Sequence, residues 1–257
     1  MCYDSNARPP IPAGEAGPTQ AEDLVLTATD GNQFAAYLAT PDGAAPRAQV
    51  VILPDVRGLH HFYKELAVRF AEQGIAALAI DYFGRTAGLT PRDDSFEYMP
   101  HVQQIRFTTF MSDLNAALGR LRSGASGPGP ATFTVGFCMG GTLSFLTGAE
   151  ESGTTGLAGV IGFYAGLARD FGGAGTVLDR AMSIQYPLLG LFGGADQGIP
   201  TDQVETLDHE LGQAGVEHEI VTYPGAPHSF FDRRAADFAD ASADAWTRVL
   251  GFITTHS

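Results

Sequence analysis

The sequence predicts an α/β protein built on one mostly parallel central sheet, with an antiparallel hairpin at its N-terminal end and helices on both faces. Three observations carry this. Predominantly apolar runs such as Ala48–Leu53 and Ile75–Ile80 alternate with segments whose apolar residues recur at helical spacing, the pattern of strands buried on both faces. Asp30-Gly31, set between two strand-like stretches, is a strong hairpin signal. A β-rich run over 131–135 then enters Gly136-Phe137-Cys138-Met139-Gly140-Gly141 and leaves into a helix-like segment over 142–150. Strand, sharp turn and helix in that order are the context of a nucleophile elbow, here with Cys at its centre.

Taken in order, residues 24–28 and 33–40 form the expected hairpin, and 48–53 is an apolar strand ending at Pro54-Asp55. A helix over 62–72 stops at Gly74, and a second apolar strand follows over 75–80. The alternation continues with a helix from about 101 to 121, the strand and helix around the elbow, and strands over 157–163 and 187–192. A helix over 201–213, a strand over 218–223 and a last helix over 235–256 complete it. Two long irregular stretches, 84–100 and 165–186, are placed to cover a site, because long loops in compact domains are often functional.

At 257 residues and 44% hydrophobic content the chain can bury a substantial core. A flexible Pro-, Ala- and Gly-rich leader is expected over 1–23 and a single domain over 24–257. The net charge of -14 disfavours nucleic acid and anionic membrane as partners. No apolar run has the length of a signal core or a membrane span, and Cys2 and Cys138 lie too far apart in sequence to suggest a disulfide framework, so a reducing, cytoplasmic setting is expected. A small-molecule substrate is the expected partner, with the chain a monomer or small homo-oligomer.

A thiol nucleophile needs a base to manage its proton, and the base needs an acid to fix its tautomer. In open α/β sheets ligands bind beyond the carboxyl ends of the strands, and the elbow class orders nucleophile, acid, histidine. Cys138, Asp196 and His228 appear in that order, each just past an expected strand. Asp81 comes too early, and Asp170 and Asp179 precede a strand. Of the histidines near strand ends, His60 and His61 precede the elbow, and only His228 follows the acid. The Met139 N–H, together with one from the loop after 48–53, most simply that of Val56, would form an oxyanion hole. Tyr82, Phe137, Tyr164 and Phe230 either line the pocket or belong to the core. His60-His61 lacks a metal-binding pattern, and Phe171-Gly172-Gly173-Ala174-Gly175 lacks the Lys-Ser/Thr of a phosphate loop, so neither a metal nor a cofactor is expected.

With Gly193-Gly194-Ala195-Asp196 and Tyr223-Pro224-Gly225-Ala226-Pro227-His228-Ser229-Phe230 added to the elbow, the chain from about residue 24 onward resembles the dienelactone hydrolase family of the α/β-hydrolase fold. The resemblance implies a Cys138–Asp196–His228 triad. It aligns Asp55, Val56 and Arg57 with the family's tripeptide of acid, oxyanion-hole residue and neighbour. It also aligns Arg85 with an arginine that binds a substrate carboxylate. Two positions depart from the pattern. Asp55 stands where the family has a Glu that holds the thiol, and Asp232 stands where a second arginine is expected, beside Arg233 and Arg234. The implied activity is hydrolysis of small esters or lactones, with a carboxylate on the substrate as a further expectation. The other reading is a ligand-binding or thiol-sensing protein on the same fold.

Overall fold

A computed structural model of the chain describes residues 6–123, 129–150 and 155–257. Cys2, the start of the expected leader and the centre of a Gly/Ser/Pro loop expected over 123–130 lie outside the described residues. Among the described residues, eight strands form one sheet in the order β1-β2-β4-β3-β5-β6-β7-β8. These are β1 (Thr19–Thr27), β2 (Gln33–Pro41), β3 (Ala48–Leu53), β4 (Ile75–Ile80), β5 (Thr132–Phe137), β6 (Gly159–Phe163), β7 (Leu188–Gly193) and β8 (His218–Tyr223). The β1–β2 and β2–β4 pairs are antiparallel, and every pair from β4–β3 to β7–β8 is parallel. The five strands β3 to β7 are buried along their whole length, which is why they read as largely apolar runs, with only Gln49, Thr132 and Thr134 as buried polar members.

The helices are α1 (His61–Glu72), α2 (Gly84–Ala87), α3 (Met99–Val102), α4 (Phe107–Arg122), α5 (Met139–Gly148), α6 (Val177–Arg180), α7 (Thr201–Ala214) and α8 (Ala239–Thr255). In α1, Phe62, Tyr63, Leu66, Ala67, Phe70 and Ala71 repeat every three to four residues and all are buried. Phe70 meets Trp246 of α8 edge-on at 4.8 Å, so α1 and α8 share one face of the sheet. On β6 the space at Gly159 is filled by Phe252 of α8 and that at Gly162 by Phe145 of α5. Those two positions point to opposite faces, which places α5 across the sheet from α8.

Three boundaries differ from expectation. Strand β1 begins at Thr19, inside the expected leader, and pairs with β2 from Thr19 opposite Pro41 to Thr27 opposite Gln33. The described part of that leader is also docked: Ala7, Pro9 and Pro12 are buried, and the Trp246 indole N–H donates to the Pro10 carbonyl at 2.6 Å. The helix expected from 101 to 121 is broken between α3 and α4, because the Phe107 N–H bonds to the Gly172 carbonyl at 3.0 Å and Arg106 is extended. The last helix starts only at Ala239, with turns over 230–238.

Trp246 therefore joins α8, α1 and the N-terminal segment. Trp246→Ala is expected to lower unfolding stability by about 3–5 kcal/mol, the usual range for a fully buried aromatic. Urea denaturation followed by circular dichroism measures it.

Candidate active site

Strand β5 delivers Cys138 to a turn that ordinary side chains avoid, with φ 55° and ψ -116°. The turn is held at both ends. The Cys138 N–H donates to the Phe163 carbonyl at 3.0 Å, and the Cys138 carbonyl accepts the first bond of α5 from Thr142 N at 3.1 Å. The flanking glycines are required by contact. A Cβ on Gly136 would lie 1.9 Å from the Gly140 carbonyl oxygen, and one on Gly140 would lie 2.1 Å from that of Leu53. The start of α5 is thus pressed directly onto the end of β3. Since Leu53 is also the register partner of Gly136, the residues after β3 run alongside the elbow. Val56 and Met139 reach the same cavity as a result.

The other half of the site comes from β7 and β8, whose last register pair is Gly193 and Tyr223. Beyond it the two loops are laced by Gly194 N to Tyr223 O at 2.8 Å and Ala195 N to Ala226 O at 2.9 Å. Asp196, 8% exposed, accepts Gly198 N on Oδ1 at 2.8 Å and faces His228 Nδ1 with Oδ2 at 2.6 Å. With Nδ1 bound to the carboxylate, Nε2 is the nitrogen left to exchange a proton. The Tyr164 ring lies 4.8 Å from the imidazole.

Cys138, Met139, Val56, Asp196 and His228 all line one cavity of about 590 Å³. Tyr98, Met99, Gly166, Arg169 and Phe171 complete much of its wall, drawn from the two long irregular stretches. Those individual residues were missed because they follow no period and match no motif. The only signal was the length of the loops. Ile199, between β7 and α7, and Arg233 and Arg234 also line it.

Other expected site residues are placed differently. Phe137 stacks on Phe163 at 4.7 Å, and Phe230 packs against Tyr223 at 5.0 Å, so both are core. The Tyr82 hydroxyl bonds to the Pro54 and Asp55 carbonyls behind the loop carrying Val56. Tyr82 supports that loop without lining the cavity. Arg85 does not reach the cavity either, which corrects its expected contact with substrate. Its guanidinium is bound by Asp30 at 2.7 Å, by the fully buried Asp113 at 2.8 and 3.0 Å, and by the Thr109 carbonyl. Two carboxylates saturate the fork.

A buried polar layer underlies the cavity. Asp55 is fully buried, accepts Arg57 N on Oδ1 at 2.9 Å and lies 3.7 Å from His60 Nε2, while its Oδ2 has no hydrogen-bond partner among the described residues. Burial pushes the His60 imidazole down from its usual range, against the opposing pull of Asp55. Asp232, at the position where an arginine was expected, is buried and accepts the Tyr164 hydroxyl at 2.8 Å. Burial and the neighbouring carboxylates push Tyr164 well above the ordinary phenol value, so it stays a neutral donor. Among the described residues no group of three metal-binding side chains occurs, and no helix is long and apolar enough to cross a membrane.

Comparison with known proteins bears on the family and the fold. A family model described as "Dienelactone hydrolase family" matches residues 34–257. A protein of Escherichia coli (strain K12) named "Putative carboxymethylenebutenolidase" is 30% identical over 234 residues, covering 86% of this chain and 82% of that protein. A crystal structure titled as a "Putative Dienelactone Hydrolase" from Klebsiella pneumoniae is 25% identical. It covers 93% of this chain and 99% of its own, with a TM-score of 0.80. A thermophilic esterase of Thermogutta terrifontis, 19% identical with a TM-score of 0.68 and covering 91% and 94% of the two chains, shares the fold.

Gly140→Ala tests the contact between α5 and β3. It is expected to destabilise the chain by about 3 kcal/mol or more, since backbone atoms must move to admit the methyl. Thermal unfolding, alongside the rate of Cys138 alkylation, reads both the stability and the shape of the turn.

Proposed function

Because the chain belongs to the dienelactone hydrolase family, a family of α/β-hydrolases, we propose that it hydrolyses small esters or lactones through Cys138, His228 and Asp196. The observation that supports this most is that Cys138, at a strained elbow, opens onto the same cavity as a histidine clamped to a buried carboxylate at 2.6 Å.

In this reading the Cys138 thiolate adds to the substrate carbonyl carbon, and the oxyanion is held by the Met139 and Val56 N–H groups. Collapse breaks the bond to the leaving oxygen, which takes a proton from His228. Water then gives a proton to His228 as its oxygen attacks the thioester, and the C–S bond breaks to return the thiolate. Asp196 orients the ring and stabilises the imidazolium without taking the proton. Asp55, behind the loop carrying Val56, fills the place that the family resemblance links to the thiol's protonation. A thiol that must stay reduced suits a cytoplasmic setting.

Arg169 and Arg233 line the cavity, and neither has an ion-pair partner among the described residues. A substrate carboxylate would meet these two, while Arg85 is occupied by Asp30 and Asp113. Arg234 also lines the cavity, but its Nε is bound to Asp237 at 2.6 Å.

Cys138→Ala is expected to lower kcat/KM on an activated aryl ester by about 10⁴-fold or more, and Asp196→Asn by about 10³–10⁴-fold, with the fold retained. Full activity in Cys138→Ala would sink the mechanism, and rapid thiol labelling without turnover would favour the sensing reading. Arg233→Ala is expected to raise KM about tenfold for a carboxylate-bearing ester relative to a neutral one, whereas Arg85→Ala leaves that ratio unchanged. Steady-state kinetics on a matched ester pair measures both.

A further inference from the structure

Between α2 and α4 the chain leaves the carboxyl edge of the sheet and returns over the cavity, where Tyr98 and Met99 form part of the wall. Apolar packing holds residues 88–102 only at Phe96 and Val102, which rest against the core. Met99 is 53% exposed, and most residues from 93 to 100 are exposed. Arg92 is the exception. Its Nη2 lies 2.8 Å from Asp81 Oδ2 at the end of β4, and both side chains are 1% exposed. The same guanidinium donates to the Gly88 carbonyl at 2.8 Å and the Thr90 hydroxyl at 2.8 Å, and it lies 4.6 Å over the Phe96 ring. Phe96 in turn stacks on His101 at 5.1 Å, and both rings pack against Phe83.

The pair also touches the loop that carries Val56. Gly58 on that loop has φ 77°, and a Cβ there would lie 2.8 Å from Asp81 Oδ1 and 3.3 Å from Arg92 Cγ. Arg57 on the same loop reaches across to Asp94 at 3.7 Å. One buried ion pair and one partly exposed pair thus join the wall segment to the expected oxyanion loop. Buried ion pairs seldom add net stability, but they permit few alternative arrangements, because a displaced partner leaves a buried charge uncompensated.

We propose that Arg92 is a positioning residue: through its buried pair with Asp81 it holds residues 88–102 against the Val56 loop, so that Tyr98 and Met99 set the size of the group that reaches Cys138. The inference rests on Cys138 being the reacting group. Met99 has a second part in it. With Arg169 and Phe171 it lines both this cavity and a neighbouring one of about 690 Å³, so it is one of three side chains at the boundary of the two spaces. With Met99 in place the site selects compact esters and lactones; shortening it joins the cavities and admits a longer arm.

The test uses the full chain carrying Cys2→Ser, so that Cys138 is the sole thiol, and compares its alkylation by a bulky aryl maleimide with that by iodoacetamide. The ratio of the two rates reports how large a group reaches the sulfur, and it needs no turnover. Met99→Ala and Arg92→Met are each expected to raise this ratio about tenfold, and Arg92→Lys to return it most of the way to the parent value. If Arg92→Met alone fails to fold, Arg92→Met with Asp81→Asn removes both charges and carries the same expectation. Ratios within about twofold of the parent in folded Met99→Ala and in the folded Arg92 variant overturn the proposal, because a purely structural staple would change folded fraction and leave size discrimination unaltered. Aryl acetate turnover by the parent, measured separately, decides the hydrolytic reading without affecting the ratio.

Discussion

The site depends on one close approach, that of the first turn of α5 to the end of β3. Gly140 sits where any side chain would strike the Leu53 and Pro54 carbonyls, and Gly136 sits where any side chain would strike Gly140. This contact leaves Cys138 little choice but a positive φ, since the chain must turn from β5 into α5 within one residue. It also sets the N-terminal end of a helix, with its partial positive charge, beside the sulfur. Moving the helix outward by a methyl would separate Val56 from Met139 and open the space between the two N–H groups.

Near that contact the protein buries a connected group of polar side chains. Asp55, His60, Asp232, Tyr63, Tyr82 and Tyr164 occupy the layer below the cavity. Burial pushes Tyr63 and Tyr164 well above the ordinary phenol range, so both serve as fixed neutral hydrogen-bonding groups. Tyr63 accepts the Asp55 N–H at 3.0 Å, Tyr82 secures the Pro54 and Asp55 carbonyls, and Tyr164 answers Asp232. In a low-dielectric layer these three tyrosine contacts hold one geometry, because any shift exposes an unpaired donor or acceptor. The position of Val56 therefore comes from the layer behind it as much as from its own packing.

Much of this was legible in the chain. Apolar or β-rich runs marked the five buried strands, and Asp30-Gly31 marked the turn between β1 and β2, because burial on both faces and a tight reversal each demand particular residue types. Cys138, Asp196 and His228 could be picked out because each follows a strand and the order is restrictive. Arg85 was misjudged for a physical reason. Its place after β4 suggested the cavity, but its guanidinium is captured by Asp30, from the β1–β2 turn, and by Asp113, from α4. Those partners lie 55 and 28 residues away in sequence, and no local pattern announces them. Phe137 and Phe230 were ambiguous for the same reason, since an aromatic beside a strand end can face the core or the pocket.

The sequence by itself determined the order of elements, the parallel core, the elbow and the three residues that the proposed chemistry would use, because each of these is written in periodicity or in residues that only a special backbone tolerates. The tertiary structure decided which charges are available to a ligand. It assigned Arg85 and Arg92 to buried carboxylates, left Arg169 and Arg233 at the cavity, docked the N-terminal segment on Trp246, and brought Tyr98 and Met99 to the cavity that Cys138 lines. These outcomes rest on contacts between residues far apart in the chain, where charge pairing and desolvation are settled only after the sheet has assembled.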